Sequence, residues 1–356
     1  MSVPPGRRSV TIQDVARRAE VSRSAVSLSV NGRPGVSAAT RARVLAAAAE
    51  LGWSPNHSAR ALRGVRDTAV GLVLTRSPRE LGHEPFWTHF IAGIGEGLAT
   101  TGHALELCLA TGVRHEMQVY RRWWLQQRVS GAIVVDVRHD DERLPLLREL
   151  SLPVVVAGPP HLTGGLPAVW SGDDACMDTL VRHLAALGHR HIAWAADDSL
   201  LLGHTTVRTE AFSGICAELG VEAVTVAQGA GGDLARVTRT LLLGAKAPTA
   251  VIYESTMAAI AALGVAKELG VHVPDGLSIV AWDDSALCRI TRPPLAVARH
   301  HLHDYGVRAA RSLLRVIGGA GPEPVPPAAA TVRPRGSTAV PRRPGPLFRP
   351  GTRDGA

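Results

Sequence analysis

From residue 69 onward, short apolar segments alternate along the chain with longer stretches of helical periodicity. An apolar strand followed by a helix, repeated many times, is typical of parallel sheets covered by helices on both faces. We predict strands at Ala69–Leu74, Ala104–Leu109, Gly131–Val135, Pro153–Ala157, His191–Ala195, Ala250–Tyr253 and Ser278–Trp282. We predict helices at Phe90–Thr100, Met117–Gln127, Ala175–Leu187, Thr209–Leu219 and Met257–Leu269. These strands and helices are enough to build two lobes, each with its own parallel sheet. Ligands bind such sheets at the carboxyl ends of the strands.

Positive charge is concentrated at the beginning of the chain. The formal net charge is +8, and residues 1–66 contain 11 arginines against 3 acidic residues. The rest of the chain holds 28 basic and 28 acidic side chains, so it carries no net charge. A basic segment on a neutral body is the pattern expected for contact with nucleic-acid phosphates. The alternative, a solvated disordered arm, would lack the apolar periodicity that this segment shows.

Length and composition fit a cytoplasmic protein of two or three domains, because the chain has 356 residues of which 46% are hydrophobic. No apolar run reaches the roughly 18 residues of a membrane span, and the first ten residues lack the apolar core of a signal peptide. The cysteines stand far apart with no CxxC pair, which favours buried free thiols over a disulfide or a zinc site. They are Cys108, Cys176, Cys216 and Cys288.

Residues 9–53 are predicted to form three short helices after a disordered arm at residues 1–8. Val26 and Val30 of the second helix are expected to face inward, at helical spacing. Its outward side chains are Arg23, Ser24, Ser27 and Leu28. The residues expected to cap or end the helices are Thr11, Ser22, Asn31 and Ser37. Three short helices with a tight turn between the first two form a helix-turn-helix.

The order of residues in this segment resembles that of a known family. The run Val10–Gly32 reads VTIQDVARRAEVSRSAVSLSVNG, and ELGWSPN at Glu50–Asn56 and ARALR at Ala59–Arg63 follow it. Later runs include ALGHRHIA at Ala186–Ala193 and SIVAWDD at Ser278–Asp284. Together they resemble the LacI/GalR family of bacterial transcriptional regulators, over roughly residues 10 to 338.

The resemblance implies that the second helix enters the major groove of DNA, with Arg23, Ser24, Ser27 and Leu28 at the base edges. The family usually has arginine where this chain has Leu28. An arginine can grip guanine bidentately, whereas leucine offers only apolar contact, for example to a thymine methyl group. We therefore expect a different half-site, with Arg23 as the candidate for a guanine contact. The phosphate-contacting or helix-capping residues would be Thr11, Ser22, Asn31 and Ser37.

Residues 54–66 resemble the family's hinge helix, which pairs across a dimer in the minor groove. Its candidate contacts are Asn56, Ala59, Arg60 and Leu62. A leucine at the position of Leu62 wedges between base steps and kinks the duplex. The alternative is an ordinary linker helix. A helix this short is unstable alone, so folding on DNA is the natural expectation.

The resemblance implies an α/β sensor with the periplasmic-binding-protein-like fold: two Rossmann-like lobes with a cleft between them. We expect residues 67–168 and about 299–328 in the first lobe, and residues 169–298 and about 329–338 in the second. The candidate effector-binding residues are Phe86, Trp87, Asp136, Arg208, Trp282 and Asp283. Arg208 would hold a pair of hydroxyls or a carboxylate, Asp283 would accept from ligand hydroxyls, and the aromatic residues would face a sugar ring or a base. Alternatives stay open: Trp282 as core, and Arg208 paired with Glu210 or Asp198 on a solvated face.

Two departures from the family affect the cleft. Many members carry Asn-Asp where this chain has Glu254 and Ser255, and an Asp-Arg pair where it has Gly158 and Pro159. The ligand therefore need not be a common hexose, and loss of ligand binding is an open alternative.

Other patterns give no support for catalysis, metal or cofactor binding. The glycines 93, 95 and 97 fall inside a helical pattern and do not match a dinucleotide loop. Histidines 189, 191, 300, 301 and 303 lack a matching second cluster for a metal. Asp173 and Asp174 resemble a family pair that suggests a structural role. No hydrolase or nucleotide-binding motif occurs, so we expect no enzyme, no cofactor and no metal.

The end of the chain is rich in proline and arginine. Residues 331–338 resemble the family's closing strand, and residues 339–356 are expected to form a disordered basic tail.

The sequence thus predicts a cytoplasmic, nucleoid-associated homodimer that binds a palindromic DNA operator. A sugar or related metabolite would control its DNA affinity, and repression is favoured over activation by family analogy alone. Two alternatives are a regulator whose cleft has lost its metabolite and, from another class, a carbohydrate-binding or hydrolytic protein.

Overall fold

The computed structural model describes residues 11–30, 34–51, 69–76, 81–82, 84–196, 202–227, 233–321, 326–327 and 329–342. The chain divides into two compact units, Met1–Asp67 and Thr68–Ala356. The arm at residues 1–8 and the hinge segment at residues 54–66 lie outside the described residues.

The headpiece, the described part of the first unit, contains helices α1 (Ile12–Arg18), α2 (Arg23–Val30) and α3 (Ala38–Glu50). The three helices enclose a small apolar core of Val15, Ala16, Ala19, Val26, Val44, Ala47 and Ala48. An ion pair between Arg18 and Glu50, with N–O distance 2.7 Å, joins α1 to the end of α3. Both side chains are more than half exposed, so this pair adds little beside the apolar core.

The first lobe of the sensor is built on a five-stranded parallel sheet in the order β2-β1-β3-β4-β5. The strands are β1 (Ala69–Leu74), β2 (Ala104–Leu109), β3 (Gly131–Val134), β4 (Val154–Ala157) and β5 (Ala168–Val169). Its helices include α4 (Pro85–Ala99), α5 (Val113–Leu125) and α6 (Arg143–Glu149). Strands β3 and β4 are buried along their whole length, which explains their continuous apolar sequence, whereas edge strand β2 is partly exposed.

The second lobe is built on a six-stranded sheet in the order β11-β10-β9-β8-β6-β7, and only β11 runs antiparallel. The strands are β6 (His191–Ala196), β7 (Glu222–Ala227), β8 (Ala250–Tyr253), β9 (Ser278–Ala281), β10 (Ala296–Arg299) and β11 (Thr331–Arg333). The helices are α7 (Asp173–Ala186), α8 (Gly203–Glu218), α9 (Arg236–Leu243), α10 (Thr256–Glu268), α11 (Ala286–Ile290) and α12 (Leu302–Ile317) in chain order. The last of these, α12, returns to the first lobe and packs on α4.

The contact between α4 and α12 explains the glycine pattern in α4. A Cβ on Gly93 would lie 2.0 Å from the carbonyl oxygen of His303, and a Cβ on Gly306 would lie 2.1 Å from that of Phe90. Only glycine permits the two backbones to approach this closely. The glycines of α4 therefore serve helix packing.

The described start of the tail does not match the sequence-based expectation. The backbone N–H of Ala339 donates to the Ser278 hydroxyl at 3.1 Å, and the Ala339 carbonyl lies 3.1 Å from Nε2 of His189. The expectation of disorder from residue 339 is wrong for residues 339–342, because the second lobe supplies partners for their backbone groups. Residues 343–356 lie outside the described residues.

None of the described helices is both long and apolar enough to cross a membrane.

Gly93→Ala tests the close approach of α4 and α12. We expect this substitution to lower the midpoint of thermal unfolding of the sensor by several degrees, because the added methyl group meets backbone that cannot rotate away. Gly95→Ala in the same helix is the matched control, since a Cβ there meets nothing within 4 Å. That control should be stabilised by about 0.5–1 kcal/mol through helix propensity. Equal midpoints for both variants would show that the helices separate without cost.

Candidate DNA-contacting helix and ligand cleft

Helix α2 presents its amino-terminal end to solvent. The Ser22 hydroxyl accepts from the backbone N–H of Ala25 at 3.2 Å and lies 2.8 Å from the hydroxyl of Ser24. Arg23 and Ser24 are exposed, while Val26 is fully buried in the headpiece core. The capping serine therefore fixes an accessible first turn with an arginine at its surface.

Ser27 and Leu28 are half-buried, whereas Arg23 and Ser24 are exposed. A Cβ on Gly35 would lie 3.3 Å from Cδ1 of Leu28, so this leucine lies beside the turn after α2. Part of its surface is therefore occupied by packing within the headpiece.

Two further residues that were predicted to contact phosphates or to cap helices lie at the start of helices. The backbone N–H and the hydroxyl of Thr11 donate to the Asp14 carboxylate at 2.9 and 2.7 Å, and Ser37 accepts from the N–H of Thr40 at 3.1 Å. Both residues are exposed. The remaining predicted DNA contacts, Asn31, Asn56, Ala59, Arg60 and Leu62, lie outside the described residues.

A cleft opens between the two lobes of the sensor. The segments that follow β1, β3, β8 and β9 supply Arg76, Asp136, Glu254 and Asp283, and the first turn of α4 supplies Phe86 and Trp87. Arg208 of α8 and Asp173 of α7 complete the charged part of the lining. The cleft thus lies at the carboxyl ends of strands from both sheets, where such folds bind ligands.

Arg208 is held by two carboxylates. Its Nη2 lies 2.6 Å from Oδ2 of Asp173, and its Nη1 donates to Oε1 of Glu254 at 2.6 Å. Its guanidinium carbon lies 4.4 Å from the ring centroid of Trp282. Burial alone would lower the pKa of Arg208, but the two carboxylates outweigh it and the pKa is raised. The guanidinium is therefore fixed in place before any ligand arrives.

Trp282 is a correction to the sequence analysis, which offered its ring to a ligand. The side chain is 1% exposed and packs edge-on against Trp194 with 5.7 Å between ring centroids. The guanidinium of Arg208 lies over its other side. The ring therefore belongs to the core beneath the cleft and acts on Arg208 through a cation–π contact.

Asp283 lines the cleft without a hydrogen-bond donor among the described residues, and its Oδ1 is buried with no hydrogen-bond partner there. Burial raises its pKa to about 7, and the neighbouring carboxylates of Asp173 and Glu254 act in the same direction while Arg208 opposes them. A buried carboxyl without donors is unfavourable unless an incoming molecule supplies them.

Asp136 also lies in the cleft, paired with Arg76 at 2.9 Å. Burial opposes its ionisation, but Arg76 and His204 outweigh burial and lower its pKa. The pKa of His204 is lowered by burial and by Arg208, so this imidazole is neutral near pH 7. Near pH 7, Arg76 is therefore the cation that stabilises the Asp136 carboxylate.

The two lobes touch beside Asp136. The N–H of Gly203, at the start of α8, donates to the carbonyl of Val137 in the first lobe at 2.8 Å. Nη2 of the buried Arg143 donates to the carbonyl of Asp136 at 2.9 Å and also pairs with Asp141. The loop that carries Asp136 is therefore held from both sides.

Phe86 and Trp87 occupy different environments within the cleft wall. The Trp87 side chain is 3% exposed and its indole N–H donates to Glu84 at 3.1 Å. Phe86 is half-buried and stacks on Phe90 with 5.2 Å between centroids. Phe86 is the more accessible aromatic face of the two.

Several cleft residues were not found from the sequence. Asp173 was assigned a structural role, Glu254 was noted only as a departure, and Arg76 and His204 were not considered. Arg76 and Glu254 follow predicted strands, so the strand-end rule could have found them, whereas Asp173 and His204 begin helices. Their partners are distant in sequence and were not predictable.

The histidines do not form a metal site within the described ranges. His189 is fully buried, and its nitrogens lie 2.9 Å from the Thr249 hydroxyl and 3.1 Å from the Ala339 carbonyl. Burial lowers its pKa to about 4. This histidine thus joins three segments of the second lobe.

Asp283→Asn tests the cost of the buried carboxyl. Because its folded pKa of about 7 exceeds that of an unfolded aspartate, the stability linked to protonated Asp283 is lost as the pH rises through about 7. The amide cannot ionise. We expect denaturant unfolding to show that the stability of the variant relative to the parent rises by about 1–3 kcal/mol between about pH 5 and about pH 8.

Asp284→Asn is the matched control at the adjacent position. Asp284 accepts two hydrogen bonds from Arg335 at 2.8 and 2.9 Å, so its loss should destabilise the fold at pH 8. Parallel pH profiles for the parent and the Asp283→Asn chain would contradict the assignment of a strained carboxyl.

Comparison with known proteins agrees with this geometry. Residues 11–56 match the family described as "Bacterial regulatory proteins, lacI family", and residues 181–338 match the "Periplasmic binding protein-like domain". The HTH-type transcriptional regulator MalR of Streptomyces coelicolor is 32% identical over 323 residues, which cover 86% of this chain and 90% of that protein.

Two solved structures extend the comparison. A transcriptional regulator CelR-cellobiose complex is 27% identical, with a TM-score of 0.67 over 92% of this chain and 100% of that one. The lac repressor dimer bound to operator and the anti-inducer ONPF is 24% identical, with a TM-score of 0.82 over 93% of this chain and 100% of that one, and shares its fold. The predicted fold class and family resemblance are confirmed. The chain belongs to the lacI family of bacterial transcriptional regulators, DNA-binding proteins controlled by an effector.

Proposed function

We propose that the chain binds a two-fold symmetric operator as a homodimer and represses transcription there. A small hydroxylated molecule in the interlobe cleft controls its affinity for DNA. The observation that carries this proposal is the pairing of two groups in the cleft. Arg208 is held in place by its ion pairs, and the buried acceptor Asp283 beside it receives no donor from the described residues. The protein acts by binding alone, in the cytoplasm on the nucleoid.

On DNA, Arg23 is the residue that we assign to a guanine, because its side chain is exposed at the first turn of α2. Ser24 and Ser27 contact neighbouring base edges, and Leu28 offers what remains of its apolar surface to a thymine methyl group. Thr11, Ser22 and Ser37 cap helices and contact phosphates. Asn31 is also assigned to a phosphate contact, from the sequence alone. From the sequence alone, the minor-groove contacts are assigned to Asn56, Ala59, Arg60 and Leu62.

In the cleft, Asp283 accepts hydrogen bonds from ligand groups and Arg208 holds a second polar group. Phe86 provides an apolar face, and Trp87, Asp136 and the core residue Trp282 keep these groups in place. The related CelR structure contains cellobiose, which supports a carbohydrate-like effector. The ligand controls DNA binding only if it prefers one arrangement of the lobes over another.

A homodimer is supported by apolar side chains on edge strand β2. Leu107 is 45% exposed and Leu109 is 42% exposed, although both are large hydrophobic residues. An exposed apolar edge strand is the kind of surface that a second copy covers. Two headpieces then read two half-sites, which supplies the affinity that one headpiece lacks.

A second candidate is a regulator whose cleft holds no metabolite. The contact between Glu254 and Arg208 favours it, because a protein carboxylate already occupies a position where a ligand could bind the guanidinium. A thermal-shift screen separates the two, since a ligand at a hundred times its Kd adds about 2.7 kcal/mol of stability.

Arg23→Ala tests the DNA assignment. Operators are first selected from random duplexes with the full chain, and the variant is then measured on the selected site and on single-base changes. We expect one half-site position to lose its preference, at a cost of about 1–3 kcal/mol. The control is Arg17→Ala, an exposed arginine on α1 that should weaken all sequences alike. Unchanged base preference in the Arg23 variant would remove that residue from base reading.

The double substitution of Leu107→Asp and Leu109→Asp tests the dimer. We expect light scattering to show a monomer at concentrations where the parent chain is a dimer, because four buried charges would face each other across the interface. Operator affinity should fall with it. Leu243→Asp, at a leucine of α9 that is 70% exposed, is the control and should leave the dimer intact. A dimeric double variant would place the interface elsewhere.

A further inference from the structure

The cleft contains more acidic than basic groups. Its described lining residues include five carboxylates, Glu84, Asp136, Asp173, Glu254 and Asp283, against two guanidinium groups, Arg76 and Arg208. Burial and Arg208 lower the pKa of His204, which therefore adds no positive charge near neutral pH. The formal charge of the described lining is negative by three, although residues 67–356 as a whole carry no net charge.

The two cations are already engaged with carboxylates. Arg76 pairs with Asp136 at 2.9 Å, and Arg208 is shared by Asp173 and Glu254 at 2.6 Å each. One guanidinium therefore faces two acids, and nothing in these pairs balances Asp283. These side chains are at most 12% exposed, so water screens the excess poorly.

Burial and the excess of negative charge in the cleft raise the pKa of Asp283. Its side chain is 14% exposed and receives no hydrogen bond from the described residues. Nε2 of His300 lies 3.9 Å from its Oδ1, but burial lowers the pKa of His300 to about 4, so this imidazole adds no positive charge near pH 7. Burial, Asp173, Glu84 and Glu254 all raise its pKa, to about 7. Arg208 acts in the opposite direction, but burial and the neighbouring carboxylates outweigh it, so the fold keeps Asp283 partly protonated near pH 7.

The remaining lining includes aromatic rings. Phe86, Trp170 and Tyr305 border the same cleft. Aromatic faces attract ammonium groups through their quadrupole, and they also cover the apolar face of a sugar ring. Carboxylates and aromatic rings together are the surroundings in which a desolvated cation is stable.

Building on the proposed function, we propose that the effector is a cationic polyol: an ammonium group on a hydroxylated ring, such as an unacetylated amino sugar. Its ammonium lies at Asp283 and restores the charge balance of the cleft. Its hydroxyls donate to the other carboxylates. An anionic ligand, such as a sugar phosphate or a uronic acid, would add repulsion to an existing excess of negative charge.

Matched pairs of probes test this proposal on the full chain. The pairs are glucosamine and glucose, galactosamine and galactose, mannosamine and mannose, and the β-1,4 glucosamine dimer and cellobiose. Glucose 6-phosphate and glucuronate are the anionic probes. Titration calorimetry gives each Kd, at a pH where the sugar amine is protonated. We expect at least one amine to bind at least about tenfold more tightly than its hydroxyl partner, and neither anion to bind.

Charge-removing variants show whether the cleft causes this preference. In Asp283→Asn and in Glu254→Gln, the ratio of amine to hydroxyl affinity should fall by about tenfold, whereas damage to the fold would weaken both probes alike and leave the ratio unchanged. Glutamine at position 254 keeps an acceptor for Arg208. Glu210→Gln, on the exposed side of the same α8 helix that carries Arg208, is the control and should keep the parent ratio.

The possible failures are distinguishable. If a neutral sugar binds as tightly as its amine and alters operator binding, the cationic effector is wrong and the proposed function stands. If an anionic probe binds more tightly than the amines, the charge argument itself is wrong. If no probe binds while the chain still selects an operator, the inference is overturned and the regulator without a metabolite is favoured.

Discussion

The ion pairs of Arg208 with two carboxylates fix the position of the side chains at the base of the ligand cleft. Asp173 begins α7, Glu254 follows β8 and Arg208 lies on α8, so this cluster joins three elements that are distant in sequence. Trp282 supports the guanidinium from below. Removing the arginine would leave two buried carboxylates without a cation, a loss that typically costs about 3–5 kcal/mol. Arg208 therefore has a structural role as well as a candidate binding role, and its removal alone cannot separate the two.

The strands that are buried on both faces were the easiest part of the fold to predict. Strands β1, β2 and β8 have the predicted bounds, and the other predicted strands differ by one residue at one end. Three strands of the sensor were not predicted: β5 has only two residues, β7 alternates apolar and polar residues at the sheet edge, and β10 lies in a proline-rich region. Helix α12 was also missed, although α4 carries the glycines that its packing requires.

The sequence predicted several residues that line the candidate site, but it did not predict which side chains contact one another there. Arg208 and Asp283 were identified through the family resemblance and both line the cleft. Trp282 was placed wrongly beside Asp283, because its side chain packs into the core against Trp194 whereas Asp283 lines the cleft. The partners Asp173 and Glu254 lie 35 and 46 residues from Arg208, and no local pattern encodes contacts over such distances. Sequence thus gives the strand ends, and only the folded chain shows which charges meet there.

The sign of charge separates the two kinds of recognition in this protein. All of the net positive charge lies in residues 1–66, where it suits the phosphates of DNA, whereas the described lining of the cleft is negative. A positive cleft would also attract phosphorylated metabolites and polyanions such as DNA itself. Carboxylates exclude these molecules and admit ligands that donate hydrogen bonds or carry positive charge. The buried Asp283 carboxyl lowers the stability of the sensor because it receives no donor from the described residues, and the same cost makes the binding of a suitable donor favourable.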